Sequence, residues 1–234
     1  MLRDFLQASG WPKNLQMFLG IAVENWLRYA LVAGIAWLLA YVIFKKRWRH
    51  RKIIQRAPAG ADVRREMKWS VLTAVIYGLV GVVTILAGKT WGWQMYRRID
   101  SHGWAWFFAS IGIAIVVHDT WFYWTHRLMH HRRLFKLFHR VHHESTNPTP
   151  WAAYCFAPLE AMAQACIFPL LAFTVPMHPL AFFAFMIWQI VFNVKNAVMH
   201  PDEWFCQLQD GNDSQKKGKV FSVFLGIWVM ITIQ

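Results

Sequence analysis

Long apolar runs alternate with short basic segments along this chain, and the pattern predicts membrane-spanning helices. The runs cover residues 26–44, 69–87 and 104–118, and a helix needs about 20 mostly apolar residues to cross a bilayer. Near the start of the first run, Glu24 and Arg28 lie four residues apart, so they are expected to pair on one helix face. The third run leads directly into a polar stretch, and its helix is expected to continue beyond the bilayer.

Two further apolar runs, residues 161–175 and 180–192, are short for complete spans. They are joined by the sequence PMHP, and they predict either a hairpin that enters and returns on the same side or two thin, tilted spans. In the second long run, Gly78 and Gly81 favour close contact with another helix. We therefore expect an all-α integral membrane protein with about three to five transmembrane or re-entrant helices.

Composition and charge agree with a membrane protein. Hydrophobic residues make up 56% of the chain, with 15 Trp and 18 Phe, which exceeds the share in an ordinary soluble domain. Lys and Arg number 25 against 12 Asp and Glu. They are concentrated beside the apolar runs, which favours cytoplasmic loops over a nucleic-acid surface. Because the segment between the first two runs carries ten Lys or Arg and residues 89–103 carry three, that segment and the polar stretch after the third run are predicted to be cytoplasmic.

Seven of the eleven histidines lie in this polar stretch, HDTWFYWTHRLMHHRRLFKLFHRVHH. His126 and His130 form H-x-x-x-H, which places two imidazoles one helical turn apart and able to share a metal ion. His139, His142 and His143 form H-x-x-H-H, in which the first histidine is a helical neighbour of the other two. The stretch therefore predicts a helical metal site with these five ligands.

Three other histidines have different expected roles. His118 lies two turns before His126 and about 80° around the helix from it, so it is a candidate ligand at the edge of the site. His131 directly follows a ligand position and is expected to face solvent. His200 is either one additional ligand or a residue that caps a helix before Pro201.

The donor set favours iron, with zinc as the second choice. Neutral imidazole suits iron, zinc and copper, and the scarcity of thiolates and carboxylates argues against structural zinc, calcium and magnesium. Ligating histidines usually donate their second nitrogen to a carboxylate or carbonyl, so Asp119, Glu144 and Glu160 are candidate partners. The alternative is that the basic amphipathic stretch binds anionic lipid headgroups, but Lys and Arg would serve that purpose without histidine.

The sequences HDTWFYWTHRLMH and HRVHHESTNPTPWAAYCFAPLEA resemble the fatty acid hydroxylase and sterol desaturase superfamily, integral membrane di-iron oxygenases with histidine boxes on the cytoplasmic side. The resemblance is dense over residues 117–161 and looser as far as residue 194. It implies that the five histidines of the two motifs ligate iron, two ions being expected. It also implies that residues matching the superfamily pattern support the first box, namely Asp119, Tyr123, Trp124 and Arg127.

By this resemblance, the expected activity is dioxygen-dependent hydroxylation or desaturation of a sterol or fatty acyl lipid. Electrons would come from a separate reductase through a carrier such as cytochrome b5 or ferredoxin, and the membrane would be the bacterial inner membrane or the endoplasmic reticulum. The expected partners are a lipid substrate, the membrane and this electron donor, without nucleic acid. Flat or long apolar ligands suit the aromatic residues Trp121, Phe122, Trp151 and Phe156.

The resemblance divides the chain into three parts. Residues 1–103 hold N-terminal transmembrane helices and loops, residues 104–206 form a hydroxylase-like domain with the histidine boxes, and residues 207–234 form a divergent C-terminal tail. Superfamily members normally continue into a third H-x-x-H-H box, whereas this chain has no histidine after His200. Many members also carry a histidine where this chain has Ala157.

These departures leave two other functions open. One is a non-catalytic or truncated relative that retains the fold and partial metal binding, since two irons would be under-ligated unless Glu160, Asp202 or Glu203 substituted or a second subunit contributed. The other is a zinc-dependent membrane hydrolase, which would want a carboxylate beside its ligands as in H-E-x-x-H, and that motif is absent.

Overall fold

The structure is a computed structural model that describes residues 12–45 and 57–199. Within these ranges the regular elements are helical, with one isolated β-bridge between Met95 and Met177. In chain order the α-helices are α1 (Lys13–Trp37), α2 (Gly60–Trp91), α3 (Gly103–Met129), α4 (Arg132–Phe138), α5 (Arg140–His143), α6 (Pro158–Ala165), α7 (Ile167–Thr174) and α8 (Pro179–Met199). A π-helical segment, Leu38–Ile43, extends α1, and 3₁₀ helices cover Ile99–Ser101 and Pro150–Tyr154.

Among the described residues, four helices are long and apolar enough to cross a membrane: Lys13–Ile43, Gly60–Trp91, Gly103–Met129 and Pro179–Ala197. This result confirms the predicted all-α membrane class. The fourth helix corrects the prediction that residues 180–192 are too short for a complete span. Polar residues such as Asn193 and Lys195 end the apolar run, but they are tolerated inside a helix, so α8 continues beyond the run.

Helices α1 and α2 pack closely in opposite directions. A Cβ added at Gly78 would lie 2.7 Å from the Cβ of Ala22, and one added at Gly81 would lie 3.1 Å from a side chain of α1. Further along the pair, the hydroxyl groups of Tyr29 and Ser70 are 3.0 Å apart. The close helix contact predicted at the two glycines is therefore confirmed.

The segment from α6 to α8 forms a hairpin that crosses the bundle and returns. Helix α6 begins beside the histidine-rich stretch, whereas the end of α7 lies against the loop between α2 and α3. There the amide of Gln94 donates to the carbonyl of Ala172 at 2.9 Å, and the amide of Tyr96 donates to that of Met177 at 3.1 Å. Helix α8 then returns to His118. Both ends of this segment therefore lie at the histidine end of the bundle, as either predicted alternative requires, a hairpin or two spans.

The break between α6 and α7 follows from a proline. Pro169 has no N–H to donate to the carbonyl of Ala165, so the helix is interrupted at Cys166. A continuous helix over Pro158–Thr174 would be about 25 Å long, less than the roughly 30 Å hydrocarbon core of a bilayer. This half of the hairpin is therefore the short one, as its apolar run predicted.

The sequence predicted that the histidine-rich stretch continues α3 as one helix, whereas the structure divides this stretch into three helices. Helix α3 ends at Met129, and His131 adopts an extended backbone before α4 begins. A second break at His139 separates α4 from α5. These two turns fold the H-x-x-H-H motif back against the end of α3.

Candidate metal centre

Three histidines meet at the end of α3: His126 lies within this helix, His130 caps its C-terminus, and His139 lies at the break between α4 and α5. The Nε2 atoms of His126 and His130 are 3.2 Å apart, as their spacing of one helical turn predicts. The ring of His139 lies 4.5 Å from that of His126 and 4.7 Å from that of His130, centroid to centroid. One ring nitrogen from each of the three lies within 4.8 Å of the other two. These three nitrogens are close enough to share one metal ion.

His139 is held at the centre of this group by a carboxylate. Its side chain is fully buried, and a hydrogen bond of 2.7 Å joins its Nδ1 to Oε1 of Glu160. This hydrogen bond directs the lone pair of Nε2 away from Glu160, and Nε2 has no hydrogen-bond partner among the described residues. A buried ring nitrogen without a partner is costly unless an ion occupies its lone pair. The geometry of His139 therefore fits a metal ligand oriented by a carboxylate.

The other two histidines of the second motif adjoin this group. The ring of His143 is 4.7 Å from that of His139 and 5.0 Å from that of His130. The ring of His142 is 5.3 Å from that of His139, and its Nδ1 lies 3.3 Å from the carbonyl oxygen of Cys155. The structure thus brings all five histidines of the two motifs together, with His142 and His143 at the edge of the three-histidine group.

Burial keeps these histidines neutral. It lowers the pKa of His130, His139 and His142 to about 4, and that of His143 to about 3. Repulsion from neighbouring imidazoles lowers the pKa of His130 and His143 further. At neutral pH each ring therefore has one nitrogen that carries a lone pair instead of a proton, which is the state that binds a metal ion.

His118 lies apart from the three-histidine group. The ring of Phe122 stacks on His118 at 6.2 Å and on His126 at 5.3 Å, so it separates the two imidazoles. The Nδ1 atom of His118 is 3.1 Å from Oδ1 of Asp119. Both His118 and His126 line a cavity beside the group. His200, the other additional candidate, lies outside the described residues.

The residues expected to support the first box form their own contacts. Arg127 donates to the hydroxyl oxygen of Tyr123 at 3.1 Å, and its guanidinium lies 5.7 Å from the ring of Trp124. Of the candidate carboxylate partners, Glu160 contacts His139 and Asp119 contacts His118. The third candidate, Glu144, is instead ion-paired with Arg140 at 3.1 Å. His131 is exposed and caps α4, as expected for a residue outside the metal site.

A largely apolar cavity adjoins the histidines. Two of the four aromatic residues predicted to suit an apolar ligand, Phe122 and Phe156, contribute to its walls. Three polar residues of the cavity lining, Ser145, Asn193 and Asn196, were not predicted from the sequence. The two asparagines could have been found from their i, i+3 spacing, which places both on one face of an apolar helix. The cavity is lined by His118, Asp119, Phe122, His126, His142, Ser145, Pro148, Ala152, Ala153, Phe156, Glu160, Phe192, Asn193, Asn196 and Ala197.

Comparison with known proteins gives one family. The model of the fatty acid hydroxylase family matches residues 111–228. A Delta(7)-sterol 5(6)-desaturase of Gibberella zeae is 28% identical over 167 residues, which is 70% of this chain and 50% of the relative. A Delta(7)-sterol 5(6)-desaturase of Leptosphaeria maculans is 26% identical over 203 residues, covering 84% of this chain and 54% of the relative. Human lathosterol oxidase is 24% identical over 189 residues, which is 78% of this chain and 62% of the relative.

These matches set the extent of the similarity. The chain spans about half the length of the first curated relatives that it matches. No solved structure matches it. The family match continues through the segment after His200, which contains no histidine.

Proposed function

The chain belongs to the fatty acid hydroxylase family, and from this we propose that it is a membrane-embedded, iron-dependent oxidoreductase that hydroxylates or desaturates a lipid of the sterol or fatty acyl type. The observation that carries the proposal is the group of His126, His130 and His139. Its nitrogen donors suit iron. A zinc hydrolase is disfavoured because the motif H-E-x-x-H is absent: Glu144 follows His143, but residue 147 is Asn rather than His.

Each part of the site has a task in this proposal. Glu160 accepts the Nδ1 proton of His139 and so keeps the Nε2 lone pair directed at the metal position. Bound iron would supply the activation of dioxygen and the removal of hydrogen from an unactivated C–H bond. The apolar cavity would bind part of the lipid and exclude water, with Phe122 and Phe156 against the carbon skeleton.

Two irons are expected from the resemblance, and the five histidines of the two motifs are their proposed ligands, with His118 and His200 as additional candidates. We place the site on the cytoplasmic face because the loop between α1 and α2 is rich in Lys and Arg. Dioxygen chemistry at this site needs electrons, for which cytochrome b5 or ferredoxin is the proposed carrier. The membrane would be the bacterial inner membrane or the endoplasmic reticulum.

A second candidate function rests on the missing third histidine box. A relative that keeps the membrane fold and one metal, but does not turn over, needs only the three-histidine group. The number of bound metal ions separates the two functions. A di-iron oxygenase binds two per chain, whereas the non-catalytic relative binds one or none.

The test is iron content per chain after anaerobic loading with Fe²⁺ and purification in detergent. Wild type should hold close to two irons, and His139→Ala and His143→Ala should lose metal. His131→Ala is the matched control, because His131 belongs to the same stretch but is exposed. Loaded protein should then convert sterols or fatty acyl lipids, detected by mass spectrometry, only when dioxygen and a reductant are both present. Two irons without conversion of any lipid would contradict the proposed activity, and one iron would favour the non-catalytic relative.

A further inference from the structure

A short segment after the second histidine motif is anchored to the N-terminal helices. This anchor segment, residues 144–151, joins α5 to the 3₁₀ helix Pro150–Tyr154. Its central contact is with Glu66 of α2. The hydroxyl of Thr149 donates to Oε2 of Glu66 at 2.5 Å, and both side chains are fully buried. The Ser145 hydroxyl also faces this carboxyl group, although Oε1 of Glu66 has no hydrogen bond of normal geometry among the described residues.

The two ends of the anchor segment have further contacts with the same helices. At its start, Arg65 of α2 donates to the carbonyl oxygen of Glu144 at 2.8 Å. At its end, the carbonyl oxygen of Trp151 accepts from Tyr29 of α1 at 2.6 Å and from Ser70 of α2 at 2.9 Å. The segment is thus fixed at its start, middle and end to the pair α1–α2.

The anchor segment is in turn connected to the histidines. The amide of Ser145 donates to the carbonyl oxygen of His142 at 3.3 Å. The Ser145 hydroxyl lies 3.9 Å from the sulfur of Cys155, whose carbonyl oxygen contacts Nδ1 of His142. A displacement of Ser145 would therefore change both the backbone position and the ring orientation of His142.

A buried carboxylate is costly unless its hydrogen bonds are satisfied. Glu66 lies outside the region that the family model matches, and it makes no contact with the histidine rings among the interactions that the structure describes. Among the described residues, the hydroxyl groups that face its carboxylate belong to Thr149 and Ser145 of the anchor segment. An apolar residue would fill the same space without fixing the two hydroxyl groups.

We propose that Glu66 is a positioning residue for the second histidine motif: its carboxylate fixes Thr149 and Ser145, and through them the direction in which His142 and His143 face the metal. The inference rests on the proposed metal site. It assigns to an N-terminal helix a part in assembling a centre whose ligands all lie in the family-matched region.

Cobalt binding tests this inference without turnover. The full chain in detergent is titrated with Co²⁺, and the visible absorption reports affinity and ligand geometry together. Glu66→Ala and Thr149→Val should each weaken cobalt binding by about 10- to 100-fold, the usual effect of removing a group that orients a metal ligand. They should also alter the cobalt spectrum. Glu66→Gln should restore part of the affinity, because its amide oxygen still accepts from Thr149.

The matched control is Glu24→Gln. Glu24 is an acidic residue of the neighbouring helix α1, where it pairs with Arg28 at 3.1 Å, as the sequence predicted. This variant should bind cobalt like wild type. The double variant Glu66→Ala, Thr149→Val should lose no more affinity than Glu66→Ala alone, because the contact that Thr149→Val breaks is already lost in Glu66→Ala.

The outcomes are distinguishable. Unchanged cobalt affinity and spectrum in folded Glu66→Ala would overturn the inference and leave the proposed function intact. If Glu66→Ala fails to fold, folded Thr149→Val decides, and wild-type binding by that variant would likewise overturn the inference. If wild-type protein binds no cobalt, the proposed metal function fails and the inference fails with it. Glu66→Ala could instead lower only the unfolding temperature of the metal-free protein and leave the cobalt spectrum unaltered. That result would overturn the inference, because Glu66 would then have only a structural role.

Discussion

His139 and Glu160 form a buried pair 2.7 Å apart that joins the second histidine motif to α6. They are 21 residues apart in sequence, yet both side chains are almost fully excluded from solvent. The hydrogen bond fixes the orientation of the His139 ring beside His126 and His130. The pair therefore connects the fold of the hairpin to the chemistry of the site.

Replacing Glu160 should weaken metal binding without removing a ligand. Glu160→Ala leaves Nδ1 of His139 without an acceptor, and a loss of about 10- to 100-fold in Co²⁺ affinity is expected. Glu160→Gln should lose less, because the amide oxygen can still accept the hydrogen bond. The control is Glu144→Gln, since Glu144 is exposed and paired with Arg140. Equal affinities in all three variants, measured by competition with a chelator, would show that Glu160 does not orient His139.

Acid should destabilise the metal-free protein between about pH 6.5 and pH 4. In this window the histidines of the unfolded chain become protonated, whereas burial lowers the pKa of His139 and His142 to about 4 in the fold. The unfolded state then binds more protons, so stability falls as the pH falls. Thermal unfolding at a series of pH values measures this change.

The variant His143→Phe supplies the control for this pH dependence. It removes one half-buried imidazole. Desolvation and the neighbouring histidines lower the pKa of this imidazole to about 3. The loss of stability below pH 6.5 should therefore be shallower than in wild type. An equally steep loss would mean that other groups cause the acid instability.

The α1–α2 contact should not tolerate a side chain at Gly78. A methyl group there would lie 2.7 Å from Cβ of Ala22, and overpacking of this kind costs about 1–3 kcal/mol. Gly112→Ala in α3 is the matched control, because nothing lies within 4 Å of the added Cβ. Thermal unfolding in the same detergent should show a lower midpoint for Gly78→Ala only. Equal midpoints would indicate that the two helices can separate without loss of stability.

Filling the cavity should block lipid oxidation while leaving the metal in place. Ala153 is buried in the cavity wall, and Ala153→Phe would occupy the space proposed for the lipid. We expect at least a tenfold lower rate of lipid conversion, about 1.4 kcal/mol in the barrier, with iron content unchanged. Ala109→Phe, on the exposed surface of α3, should behave like wild type. Full activity of Ala153→Phe would place the lipid elsewhere.

Local patterns accounted for the helices and for the first pair of ligands. The apolar runs predicted spans because burial in a bilayer depends on length and hydrophobicity, both of which can be read along the chain. The distance between His126 and His130 followed from helical periodicity alone. The short break at Cys166 and the full length of α8 were less accessible, because Pro169 interrupts a helix without ending the apolar run, whereas Asn193 ends the apolar run without ending the helix.

The sequence by itself determined the all-α membrane class, the helical spacing of His126 and His130, and the family. Only the tertiary structure decided which distant groups meet: His139 with Glu160, Phe122 between His118 and His126, and Glu66 with Thr149. The physical reason is that periodicity specifies the face on which a side chain lies within one helix. The turns at His131 and His139 and the return of the hairpin specify which faces come together, and these depend on packing across the whole bundle.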